Sequence, residues 1–160
     1  LGGFLAASFA ARHPGRVRRL VLAGIRKRFP AADVEAVRAR LLRDRRACLA
    51  DFYARCFFPS RMAAYRPFRA GLQEEYLREM DGPALLEGLS FLAASGFPAS
   101  GLPPCPVTVV HGGKDVIAPP AEAEEVAREI PGASFLLLPE APHAVFLDDR
   151  FRAAVSGSDG

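Results

Sequence analysis

Three short apolar runs constrain this chain more than anything else in it: "VRRLVLAG" at 17–24, "VTVVHGG" at 107–113 and "SFLLLP" at 134–139. The first is a continuous apolar run over Leu20, Val21 and Leu22, the second is rich in β-branched residues, and each ends in glycine or proline. Such runs, rather than alternating ones, mark strands buried on both faces, as in a parallel sheet. Helical segments separate them. "GGFLAASFAARH" precedes the first run, with apolar residues at Phe4, Leu5, Phe9 and Ala10 and a stop at Pro14-Gly15. "PPAEAEEVAREIPG" lies between the second and third, with prolines at its start and acids in its first turns. "VFLDDRFRAAV" follows the third as a final helix. Gly2 and Gly3 predict close approach of the first helix to a strand. The alternation predicts an α/β fold: a parallel sheet of three strands with helices on both faces.

Between the first two runs, residues 31–97 show no strand pattern. "DVEAVRARLLRDRRACLADFYARCFF" is helical by period, and Pro59, Pro67, Gly82-Pro83 and Gly96-Phe97-Pro98 are expected to break the rest into short helices. The insert is too long for a crossover helix and reads as a helical lid. The expected organisation is therefore core helix and strand at 1–25, lid at 26–100, and the remaining core at 101–160, where "SGSDG" reads as a frayed tail.

Composition limits the function. The chain has 160 residues, enough for one real core, and its 50% apolar and 24% charged content is that of a soluble globular protein. No apolar run is long enough to span a membrane, and no signal peptide is visible. Cys48, Cys56 and Cys105 neither pair evenly nor match a zinc spacing, so reduced thiols and a cytoplasmic location are expected, with no metal. A net charge of +3 is too small for nucleic-acid binding. Arginines crowd the stretch from Arg26 to Arg78, among them Arg43, Arg45 and Arg46; they form either a solvated face or a surface for an acidic partner.

Two titratable residues stand where chemistry is expected. In open parallel sheets, ligands bind beyond the carboxyl ends of the strands. Asp115 falls just beyond the second strand and His143 just beyond the third. A carboxylate that orients an imidazole is the supporting pair of a nucleophilic triad. Asp148 and Asp149 follow His143 too closely to serve as that acid, and read as a helix start. His111, before a glycine pair, reads as structural. The aromatic residues of the insert read mostly as lid core; Phe57, together with Phe146 three residues after His143, is expected to line a substrate cleft.

Taken together, "LGGFLAASFAARHPGRVRRLVLAG", "HGGKDVIAPP" and "APHAVFLDD" resemble, in order and spacing, the C-terminal part of an α/β-hydrolase. The first resembles the helix and strand after the nucleophile elbow, the others the acid and histidine loops. The resemblance implies that Asp115 and His143 are catalytic and that the nucleophile, a serine, belongs immediately before Leu1. It also implies that the Leu1 N–H contributes to the oxyanion hole and that no cofactor is used. Ser8 lies inside the first helix and does not substitute. These 160 residues alone are then expected to be inactive, and poorly soluble through an exposed sheet edge. "LLEGLSFLAASGF" and "PHAVF" are similar to the carboxylesterases of biotin synthesis, which demethylate a pimeloyl group on acyl carrier protein. That likeness implies a small or carrier-bound ester as substrate, with the acidic carrier at the arginine-rich lid. A broad esterase or lipase, a carbon–carbon bond hydrolase and a non-catalytic remnant are the alternatives.

Overall fold

The computed structural model describes residues 1–102 and 104–156. Among the described residues, eight α-helices and three strands follow in the order α1 (Gly2–Arg12), β1 (Leu20–Ala23), α2 (Ala31–Arg43), α3 (Arg45–Phe57), α4 (Met62–Gly71), α5 (Gln73–Glu79), α6 (Gly82–Ala94), β2 (Val107–Gly112), α7 (Pro120–Glu129), β3 (Ser134–Leu138) and α8 (Asp149–Ser156). The strands form one parallel sheet in the order β1-β2-β3. Leu20 lies opposite Val107, and Gly112 opposite Leu138.

The central strand shows why its apolar run does not alternate. Val107 and Val109 face Phe4, Ala7 and Ala10 of α1 and Ala123 and Val126 of α7. Val110 faces the other way, to Leu138 and Val145, with Phe151 of α8 packed behind them. Both faces of β2 are therefore dry. The first helix comes as close as its glycines predict, though only through one of them: a Cβ on Gly3 would lie 2.7 Å from Ile25 Cγ2, whereas one on Gly2 would meet nothing.

The structure changes several details of the sequence reading. Strand β1 begins at Leu20, not Val17, because the polar Arg18 and Arg19 precede the first paired residue. The long periodic stretch is two helices, not one. Asp44 is extended, and its side chain accepts the Ala47 N–H at 2.9 Å, so it caps α3 while ending α2. Pro67 does not break a helix but lies inside α4. The lost backbone bond is offset by the packing of Tyr65 and Phe68 on Phe57. The last segment is a 3-10 turn at Val145–Leu147 and then α8. Asp148 separates them and accepts the Arg150 N–H at 3.0 Å.

Helices α2 to α6 leave and rejoin the core at one place. The Phe97 N–H donates to the Lys27 carbonyl at 2.8 Å, and Arg28 and Gly96 form an isolated antiparallel bridge. Phe4 of α1 packs against Phe29 on one side of this stem and Phe97 on the other. Glu122 of α7 fastens it: one carboxylate oxygen accepts from Arg26 Nε at 3.0 Å, the other from the Lys27 N–H at 3.2 Å. Because Arg26 and Glu122 are both largely shielded from water, this charge-assisted contact counts for more than a surface ion pair. Replacing Glu122 with Gln is expected to lower stability by about 1–3 kcal/mol. Urea denaturation checks this; an unchanged midpoint would show that the stem closes without Glu122.

Candidate active site

The site is built where β2 and β3 end. The Gly113 N–H donates to the Leu138 carbonyl at 2.8 Å, and the Lys114 N–H to the Ala141 carbonyl at 2.9 Å. The two loops that follow the strands are thus stitched along their backbones. Glycine at 112 and 113 makes this contact possible. A Cβ on Gly112 would fall onto the carbonyl oxygens of Pro142 and Ala141, and one on Gly113 would lie 2.6 Å from that of Pro139.

The stitching brings Asp115 and His143 together, 28 residues apart in sequence, with Oδ2 of the acid 2.7 Å from Nδ1 of the ring. Asp115 Oδ1 accepts the N–H groups of Ile117 at 2.8 Å and Ala118 at 2.9 Å, so the carboxylate caps its own turn. Its side chain is wholly buried, whereas His143 keeps 24% of its side chain exposed. Burial alone would raise the Asp115 pKa. The hydrogen bond and charge of His143, with the two N–H donors, outweigh it and hold the acid below 3.8. An ionised carboxylate on Nδ1 leaves Nε2 as the free ring nitrogen, the position a base needs.

Gly24, at the end of β1, sets the other side of the ring. It has φ +57°, and a Cβ there would lie 2.9 Å from His143 Cε1. The exposed edge of His143 opens onto a cavity of about 580 Å³ between the sheet and the helical insert. Its walls are apolar and include Leu1, Leu41, Leu49, Phe52, Leu85 and Leu89.

Of the residues singled out from sequence, Asp115 and His143 meet, and Leu1 lines the same cavity. Phe57 and Phe146 do not line it. Phe57 is buried against Tyr65, Phe68 and Ala144, because α3 turns that face toward the core of the helical insert and the back of the histidine loop. Phe146 is 55% exposed, carried outward by the 3-10 turn. Phe52 and Cys48, one turn or more earlier on α3, face the cavity instead, and their spacing from Leu41 and Leu49 was the available signal. Among the described residues no group of three or more potential metal ligands exists.

The helical insert touches both loops through the end of α3 and the residues just after it. The Ala144 N–H donates to the Cys56 carbonyl at 2.9 Å, Arg55 to the Val116 carbonyl at 3.2 Å and Ser60 Oγ to the Glu140 carbonyl at 2.6 Å. Burial, with the nearby Asp115 charge, pushes the Cys56 thiol up to about 12, so it stays protonated.

His111 lies beneath the pair, fully buried, its pKa lowered below 6.5 chiefly by burial. The folded state therefore takes up fewer protons than the unfolded chain as pH falls through 6.5, and stability declines over that range. The Asp115 shift adds a further decline only below pH 3.8. Melting temperature is expected to drop between pH 7 and pH 5, and to drop less in His111→Gln; equal slopes would exclude His111 as the source. Gly24→Ala, which strains a left-handed residue and presses on the ring, is expected to cost about 1–3 kcal/mol and to shift the His143 ring resonances. Unchanged resonances would show that the ring does not rest on Gly24.

Comparison with known proteins agrees with this geometry. The family model described as alpha/beta hydrolase fold matches residues 1–150. The chain is 30% identical to a pimeloyl-[acyl-carrier protein] methyl ester esterase of Chromobacterium violaceum and 32% identical to one of Neisseria meningitidis; each alignment covers 92% of this chain and 61% of the relative. The chain thus spans about three fifths of the length of these curated relatives. Among solved structures, the enol-lactonase of Burkholderia xenovorans superposes with a TM-score of 0.81 at 22% identity, covering 97% of this chain and 61% of that one. An esterase of Thermogutta terrifontis superposes with a TM-score of 0.61 at 26% identity, covering 97% and 59%. Fold, loop geometry and family match lead to one statement: the chain belongs to the α/β-hydrolase family.

Proposed function

We propose that this chain is the acid-and-base part of a carboxylesterase whose nucleophile, a serine, is supplied by sequence preceding Leu1. The observation that carries the reading is the 2.7 Å contact between the buried Asp115 and His143, with the ring facing an apolar cavity. In the full-length protein His143 Nε2 takes the proton of the serine as it attacks the ester carbonyl, then returns it to the leaving alcohol. Asp115 holds the ring in the required tautomer and stabilises its charged form. The Leu1 N–H, at the head of α1, helps hold the oxyanion. No metal or organic cofactor enters the reaction.

The substrate that fits best is an acyl chain ending in a methyl ester and carried on an acidic carrier protein. Apolar cavity walls suit the acyl chain, and the named relatives suit the carrier. The lid, taken as residues 26–100, supplies the charge. Arg46 is paired with Glu74, and Arg45 donates to the Met80 carbonyl. Arg28, Arg43, Arg66, Arg69 and Arg78 are exposed and form no ion pair among the described residues, and Arg43 and Arg69 are among the cations left for an incoming carrier.

The test uses the full-length protein with a carrier-bound pimeloyl methyl ester and a panel of short chromogenic esters. Asp115→Asn is expected to lower kcat by roughly 10³–10⁴-fold. Wild-type turnover in that variant would sink the catalytic assignment. Reversing the charge of Arg43 and Arg69 is expected to slow the carrier-bound ester about tenfold or more at low salt, with little effect on short esters. Equal loss on both would sink the docking surface. Turnover of short esters alone would indicate a broad esterase, and no turnover of any ester a non-catalytic role.

A further inference from the structure

The mechanism above gives His111 no part, yet this side chain is wholly buried against the catalytic acid. Its Nε2 lies 3.0 Å from the Ala118 carbonyl and 3.3 Å from Asp115 Oδ2. Both neighbours are acceptors, so Nε2 carries the ring proton. Its Nδ1 is buried without a hydrogen-bond partner, which a bare nitrogen tolerates far better than an N–H would. The ring is therefore fixed as the neutral Nε2–H tautomer.

The placement of that proton is specific. Ala118 is the residue whose N–H holds Asp115 Oδ1, and Oδ2 is the oxygen that meets His143. Strand β2 thus carries, four residues before the acid, a donor that anchors the far end of the acid's turn. The same donor presents its positive edge to the oxygen that orients the base. A leucine at 111 would fill the space and leave the Ala118 carbonyl unpaired and the carboxylate held from one side fewer.

We propose that His111 is a positioning residue: through its Nε2–H it locks the Asp115–Ala118 turn and fixes the carboxylate on His143. This rests on the reading of His143 as the base. The experiment uses the full-length hydrolase and p-nitrophenyl butyrate, comparing His111→Leu with His111→Gln, whose amide nitrogen can replace the Nε2 donor. His111→Leu is expected to lower kcat about tenfold with KM within twofold. It should also broaden the low-field resonance of the His143 Nδ1 proton by exchange with water. His111→Gln should recover most of kcat and the sharp resonance. If His111→Leu does not fold, His111→Met, equally without a donor, serves the same comparison. Equal losses in the donor and donor-free variants, or wild-type kcat without a donor, would overturn the proposal. His143→Ala run in parallel separates the two readings, since turnover surviving there would overturn the base assignment instead.

Discussion

The backbone contact between the loops after β2 and β3 is the constraint on which the rest of the site depends. Asp115 and His143 come from different strands and have no local reason to meet. What joins them is two N–H···O bonds, from Gly113 and Lys114 to the facing loop, in a space that glycine at 112 and 113 leaves open. Once the loops are joined, a buried carboxylate becomes tolerable because donors surround it: two backbone N–H groups, the His143 ring and, at 3.3 Å, the His111 Nε2–H. The parallel register matters for the same reason. It sets Gly112 opposite Leu138, so that both loops leave the sheet at the same height.

Much of this was legible in the sequence. Short, largely apolar runs rich in β-branched and leucine residues gave the three parallel strands, because burial on both faces leaves little polar side to alternate with. Asp115 and His143 stood out because each follows such a run. His111 did not, since a histidine one residue before Gly112 looks like any strand end until its ring is seen beneath the acid. The cavity lining was misjudged for a related reason. Periodicity shows that α3 has an apolar face at Phe52 and Phe57, but not that the helix spreads those residues over two interfaces. Leu49 and Phe52 meet the cavity, and Phe57 meets Tyr65 and Ala144. The break at Asp44 was masked by the helical period on both sides of it, although aspartate three residues before a free N–H is a cap signal. The clasp of Glu122 on Arg26 joins residues 96 positions apart and leaves no local trace.

The insert is more than a cover. Its α3 end is bonded to the acid loop through Arg55, and to the histidine loop through Cys56 and Ser60. Arg61 adds a longer contact of 3.6 Å to Asp148, which also heads α8. Movement of the insert as a body would therefore pull on both loops at once, whereas movement of α6 alone, which carries Leu85 and Leu89, would change the cavity and leave those bonds alone.

The stem of the insert has a consequence of another kind. Its two ends are hydrogen-bonded neighbours, Lys27 to Phe97; Lys27 rests on α7 and Phe97 on α1, and Arg26 also meets Asp33 of α2. Sixty-odd residues thus enter and leave through a gap that one tight turn could close. The core places little demand on what fills that gap, so exchange of one helical cassette for another need not disturb the sheet. The shape of the cavity can then change with the cassette while Asp115 and His143 stay where the strands hold them, provided a replacement restores the few bonds that α3 makes to the two loops.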